Sequence, residues 1–233
     1  MNLPKIFKIF HNIYIRQKYH IKRDSYSSEG EDKILDKFLK NINNGFYVDV
    51  GAYHPIKASN TLLLFQKGWS GINIDPSKFS IDLFNFLRPK DENYNFAISN
   101  KKEMINFYYG KSYDQLATAS NKFLDFHFKK KKIKYFKKKI RAHKLNYILD
   151  KSKFNGKKID LLNIDVQGYE LKVLKSLNFK KYYPSIICIE IELLEKNEKL
   201  KKTHIYKFLK KRKYIKKWSG LNSHIFVKKY FNS

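Results

Sequence analysis

The sequence predicts an α/β domain built on a doubly wound, mostly parallel sheet with helices on both faces. Three observations carry this. Apolar strand-like runs alternate with helix-period segments along the chain. Several runs are apolar at every position rather than at alternate ones, as strands buried on both faces are. Three of them, in FYVDVG, GINIDP and LLNIDVQG, stop at an acid.

The elements follow in order. Residues 1–24 form a basic extension in which Ile6, Phe7, Ile9, Phe10, Ile13 and Tyr14 share an apolar helix face. That face is expected to pack on the domain, with peripheral contact to an anionic membrane as the alternative. Residues 25–233 are expected to form a single domain. Residues 29–40 read as a helix with Ile34, Leu35, Phe38 and Leu39 inward, capped by Ser27 or Ser28, with Glu29, Glu31 and Asp32 favourably placed near its start. Phe46 to Val50 is a buried strand, followed by a turn and the helix of SNTLLLFQKG. A second strand ends at Asp75, and Pro76 and Ser77 open a helix that stops before Pro89. NYNFAIS reads as a third strand and MINFYYG as a fourth.

Residues 111–140 break the rhythm. Their basic, aromatic-laced block HFKKKKIKYFKKKIRAHK reads as an insertion, a lid or a solvated helix. Then come a short helix in LNYILDK, a strand ending at Asp165, and an amphipathic helix with Leu171, Val173, Leu174 and Leu177 inward. The strand SIICIEIEL, a basic helix HIYKFLKKRKY and a last strand HIFVKKY complete the chain.

Bulk properties narrow the classes. With 42% hydrophobic and 16% aromatic residues among 233, the chain can bury a core. The net charge of +28 favours polyanionic partners, although the joint excess of Lys, Asn, Ile, Phe and Tyr is also what AT-rich coding produces. The lone cysteine, Cys188, excludes an intramolecular disulfide, fits a reducing, cytoplasmic setting, and lies in an apolar run as a core thiol. No apolar run is long enough to span a bilayer, and lysines interrupt any signal-peptide core.

In such a sheet, ligands bind beyond the carboxyl ends of the strands at the switch point, where Asp49, Asp75 and Asp165 would lie. Gly51 lets the turn after Asp49 pass close to a ligand. An acid ending the second strand suits both hydroxyls of a ribose. No G-x-G-x-x-G follows the first strand, and no G-x-x-x-x-G-K-[ST] occurs. A nucleoside cofactor without pyrophosphate is therefore indicated, S-adenosylmethionine being the commonest.

Several spaced segments sharpen this. YSSEGEDKIL, FYVDVGAYHPIKASNTLLLFQKGWSGINIDPS, NYNFAIS and IDLLNIDVQGYELKVLKSL, followed by P-x-x-I-x-x-E, resemble in order the motifs of the FkbM family of methyltransferases. The resemblance spans roughly residues 25–192. It implies the class I methyltransferase (Rossmann-like) fold and S-adenosylmethionine as cofactor. It also implies Asp49, Gly51 and Tyr53 on the methionine side, Asp75 on the ribose, Asn95 and Ala97 near adenine, and Asp165 beside the transferred methyl. Ser59 and Asn60 would bind ligand or cap the following helix. Ser28, Asn163 and Gln167 depart from the usual Gln, Lys and Glu of the family.

O-methyl transfer needs a group that takes the acceptor's proton. Asp165 is the first candidate and His54 the second. Asp165 and Glu190, on adjacent strands, are also candidate ligands of a magnesium ion. The acceptor is expected to be a small molecule or a glycan, most simply a sugar hydroxyl of a surface glycan. RNA 2′-O-methylation is the alternative raised by the basic block, and a non-catalytic cofactor-binding protein is a third.

Overall fold

The computed structural model describes residues 3–110, 114–194 and 199–231. Residues 111–113, at the start of the segment 111–140, lie outside the described residues.

The strands are β1 (Phe46–Val50), β2 (Ser70–Ile74), β3 (Glu92–Tyr94), β4 (Ala97–Ile98), β5 (Glu103–Tyr109), β6 (Phe136–His143), β7 (Leu161–Ile164), β8 (Ile186–Glu190), β9 (Tyr214–Ser219) and β10 (Ser223–Lys228). The α-helices are α1 (Leu3–Phe10), α2 (Glu31–Leu39), α3 (Leu62–Gln66), α4 (Lys78–Leu87), α5 (Asn121–Leu124), α6 (Leu145–Lys151), α7 (Glu170–Lys175) and α8 (His204–Lys211). Seven strands form one sheet in the order β3-β2-β1-β7-β8-β10-β9. Its first five are parallel, and β10 runs antiparallel to both β8 and β9. The chain winds outward from β1 through β2 and β3, then returns to pair β7 with the other edge of β1. The order therefore reverses between β1 and β7.

Alternation along β1 sorts its side chains between two layers. Phe46, Val48 and Val50 join a core with Ile72, Ile74, Leu162, Ile164 and Ile187 on one face of the sheet. Tyr47 packs on the other face with Leu35, Leu64, Trp69, Leu161 and Cys188. Cys188 is thus a core thiol, as its apolar run implies. Leu171, expected inward on α7, is only half-buried, whereas Val173, Leu174 and Leu177 are core residues.

The helix starts test the cap assignments. Ser77 caps α4 by accepting from the Ser80 amide at 3.3 Å. α2 begins instead at Gly30, in left-handed backbone. Ser27 still contributes, since its Oγ accepts the Asp32 amide at 3.3 Å and donates to the Asp32 carboxylate at 2.7 Å.

Three assignments differ from expectation. NYNFAIS is not one strand: the chain bends at Asn95, whose side chain donates to the Asp75 carbonyl at 3.0 Å. β3 stays in the main sheet, while β4 enters a second, three-stranded sheet ordered β4-β6-β5. The segment 111–140, read as an insertion, a lid or a solvated helix, is not one helix. It passes through α5 and a π-helical turn at Asp125–Lys129, then becomes β6, antiparallel to β5. Finally, the basic helix ends at Lys211, and YIKKWS forms β9. As an edge strand, β9 buries only Tyr214, half-buries Lys216 and Trp218 and exposes Ile215 and Lys217, so its sequence lacks a clear apolar alternation.

Candidate functional site

A cleft enclosing about 1090 Å³ of empty space, its open mouth included, lies at the switch point beyond the carboxyl ends of β1, β2 and β7. Its walls include Asp49 to Tyr53, Asn60, Asp75 to Ser77, Phe96 to Ile98, Asn163 and Asp165 to Gln167. The second sheet closes one side through Ile105, Phe107, Tyr109 and Lys138.

Asp49 is buried at the floor. One oxygen accepts from Asn163 Nδ2 and the other from Thr61 Oγ1, each at 2.8 Å. Burial pushes its carboxyl above the usual range against those two donors. Asn60 donates to Asn163 Oδ1 at 3.0 Å, so Asp49, Asn163 and Asn60 form one chain across β1 and β7. Neither Ser59 nor Asn60 caps α3. Ser59 Oγ instead accepts from Arg88 at 3.0 Å, and Arg88 also donates to Thr61 at 2.9 Å. Arg88 is fully buried, and it fixes Thr61 and hence Asp49 from behind.

Asp75 ends β2, with Oδ2 accepting the Tyr53 amide at 3.0 Å and Oδ1 accepting the Ser77 amide at 2.7 Å. Burial raises its pKa to about 6, with the Asp49 charge adding to the shift. The turn bringing Tyr53 to it is tight: Gly51 holds φ +81, and Tyr53 and Ala58 are also left-handed at φ 52. Gln167, across the cleft, has φ 54. Such strain persists where surrounding contacts over-determine it.

Asp165 faces the cleft at the end of β7. Gln167 Nε2 donates to Asp165 at 2.7 Å and to Glu190 at 2.6 Å, so its amide spans the two acids. Burial and the Asp165 charge push the Glu190 carboxyl above the carboxylate range, and burial raises Asp165 as well, so the pair favours holding a proton between them. Glu190 in turn borders a second cleft with Ser120, Phe123, Glu170, Glu192 and His204. Gln167 therefore sits at the partition between the two. Glu170 stiffens that partition by accepting the Val166 and Gly168 amides at 3.2 and 2.9 Å.

The predicted residues separate into groups. Asp49, Gly51, Tyr53, Asn60, Asp75, Ala97 and Asp165 all line the first cleft. Asn95 does not; its side chain holds the bend behind Asp75. His54 must be corrected. It is wholly buried away from the cleft, its Nδ1 accepting the Ile56 and Lys57 amides at 2.9 and 3.1 Å. Nε2 then carries the proton toward Asn12 Oδ1 at 2.9 Å. Burial lowers its pKa to about 3, so His54 is a neutral structural residue with no free lone pair for a substrate.

A magnesium ion at Asp165 and Glu190 does not fit either. The Gln167 amide, a donor, stands between the two carboxyl groups in the space a cation would need. Among the described residues there is no group of three or more His, Cys, Asp or Glu that could hold a metal ion.

Sequence reasoning missed Thr61, Arg88, Phe107, Tyr109 and Lys138. Thr61 lay within the SNT segment, and Asn163 was visible only as a departure. Nothing in the sequence pairs Arg88 with Thr61, 27 residues away.

The reversed strand order, the antiparallel β10, and the acids closing β1 and β2 beside a loop without a phosphate cradle define a class I, Rossmann-like methyltransferase. The model of the FkbM methyltransferase domain matches residues 49–216, well over half the chain, and the protein belongs to that methyltransferase family. The family implies S-adenosylmethionine as methyl donor. No curated protein matches the chain significantly. A TehB-like S-adenosylmethionine-dependent methyltransferase from Corynebacterium glutamicum is similar in structure, with a TM-score of 0.47 and 8% identity over 97% of this chain and 99% of that one.

Proposed function

We propose that the protein methylates a sugar hydroxyl of a surface glycan. The observation that carries this reading is Asp165 facing the first cleft, joined through the Gln167 amide to Glu190 on the second. The first cleft suits the cofactor: Asp75 as acceptor for ribose hydroxyls, Phe96 and Ile98 as apolar walls for the base, and Asp49, Asn60 and Asn163 as polar partners of the amino-acid end. When bound, S-adenosylmethionine supplies a methyl carbon on a sulfonium, open to in-line attack.

Asp165 would take the acceptor's hydroxyl proton as that oxygen received the methyl group, the cofactor leaving as the neutral thioether. Gln167 holds the Asp165 carboxyl group in place, and burial raises its proton affinity, as a base needs. The second cleft offers hydroxyl-binding groups at Glu170, Glu192, Ser120, Thr203 and His204, with Phe123 as a flat apolar surface. Lys122, Lys199 and Lys202 on the same cleft suit an acidic or phosphorylated glycan.

The test is label transfer from methyl-labelled cofactor to glycan precursors. Label in an alkali-stable methyl ether on a sugar supports the reading. Label in a 2′-O-methylnucleoside after RNA digestion would replace it with the RNA alternative.

Asp75→Ala should weaken cofactor binding by about 1.5–3 kcal/mol in calorimetry, since a charged acceptor for two hydroxyls is lost. Because the Asp75 pKa lies near 6, protonation removes the same acceptor. Wild-type affinity should therefore be full above pH 7 and fall as pH drops through 6, and the Asp75→Ala protein should lack that step.

β6 lies beside the mouth of the first cleft and exposes Lys137 and Lys139. Reversing both to Glu should raise the apparent KM for an anionic acceptor by up to ~10-fold and flatten its salt dependence, with kcat preserved. An unchanged salt response assigns the charge of this strand to coding bias.

A further inference from the structure

The N-terminal segment carries two apolar faces. Ile9 and Ile13, both 0% exposed, pack with Tyr26, Ile56, Leu62 and Leu83. Lys5 pairs with Asp82 of α4 at 2.7 Å, and Lys8 lies over the Phe79 ring at 4.8 Å. The helix is thereby fixed to the domain. Yet Leu3 (81% exposed), Phe7 (68%), Phe10 (49%) and Tyr14 (42%) follow one another at helical spacing along its outer side. Ile15 and Tyr19 extend that side at 52% and 79% exposure. A surface row of this size is uncommon on a protein that meets only water.

We propose that this outer face docks the protein on an anionic lipid bilayer surface. Charge selects the occupant. The first 23 residues hold six Lys and Arg and no Asp or Glu. Arg16, Lys22 and Arg23 are exposed, and Lys18 stands over the Tyr19 ring at 4.8 Å. Apolar and aromatic side chains can enter the headgroup boundary while these cations meet anionic lipid. A second copy of the chain would instead set the same cations against one another. The position is also informative. Phe79 and Asp82, which contact α1, share α4 with Ser80, which lines the first cleft. The segment that carries the docking face thus packs on a helix that also lines the first cleft.

Co-sedimentation of the full chain with vesicles tests this. It should bind vesicles containing phosphatidylglycerol, bind pure phosphatidylcholine at least ~10-fold more weakly, and be partly released by salt. Phe7→Ser with Phe10→Ser should cut binding to the anionic vesicles on the order of 10-fold or more. The thermal midpoint and cofactor binding should be retained, because neither side chain joins the core. Equal binding to both vesicle types, or full binding by the double variant, would overturn the proposal. So would a concentration-dependent dimer without lipid that the double variant abolishes, since a second copy would then cover the face.

Discussion

Asp165→Asn is expected to reduce methyl transfer by ~10²–10⁴-fold while leaving cofactor affinity within a few-fold. The substitution keeps the side chain's shape and removes its charge and proton affinity. The rest of the first cleft is held without it: Asp49 by Thr61 and Asn163, Asp75 by the Tyr53 and Ser77 amides. The two losses should therefore separate, one read by single-turnover label transfer and the other by calorimetry. EDTA should leave wild-type activity unchanged, because the Gln167 amide stands between the two acids where a cation would sit. Near-normal turnover in Asp165→Asn would remove the base from the mechanism. His54 could not replace it, being buried and fully hydrogen-bonded.

Gly51→Ala is expected to damage stability and site together. Gly51 holds φ +81, and an added Cβ would lie 1.7 Å from the Asp165 carbonyl oxygen. The Gly51 amide donates to the Ile74 carbonyl at 2.9 Å, and the Asp165 amide donates to the Val50 carbonyl at 2.9 Å. The ends of β1, β2 and β7 are thus tied at this residue, and none can retreat alone. A loss of at least ~3 kcal/mol follows from left-handed strain plus the clash, lowering the thermal midpoint by roughly 6–12 °C. Gly156→Ala is the control. Its φ is +79, but nothing lies within 4 Å of the added Cβ, so only the backbone term of about 1 kcal/mol applies. Equal shifts in the two variants would show that the Asp165 loop yields, and the close approach would then carry little energy.

The main sheet was legible because parallel strands buried on both faces leave continuous apolar runs, as FYVDV, GINI, LLNI and IICIE do. The acids ending β1, β2 and β7 were legible for the same reason: a charge closing such a run has only the crevice to face. Local chemistry marked the start of α4 at Ser77. What failed were features whose pattern is shared by two structures. HIYKFLKKRKY reads as helix to its end, yet the helix stops at Lys211 and Tyr214 opens a strand paired with β10. The lysine-rich FKKKIRAH reads as a solvated block, yet it completes the second sheet and brings Lys138 to the cleft.

By itself, then, the sequence determined the buried parallel strands and the acids at their carboxyl edge, since those rest on local periodicity and on charge avoiding the core. The tertiary structure alone decided which polar groups meet. It turned His54 inward under Asn12, bent Asn95 behind Asp75, and set Arg88 beneath Thr61. It also placed Gln167 between Asp165 and Glu190 and divided the apolar face of α1 between core and solvent. Hydrogen bonds between residues far apart in the chain leave no periodic trace, because their partners are chosen by packing rather than by spacing.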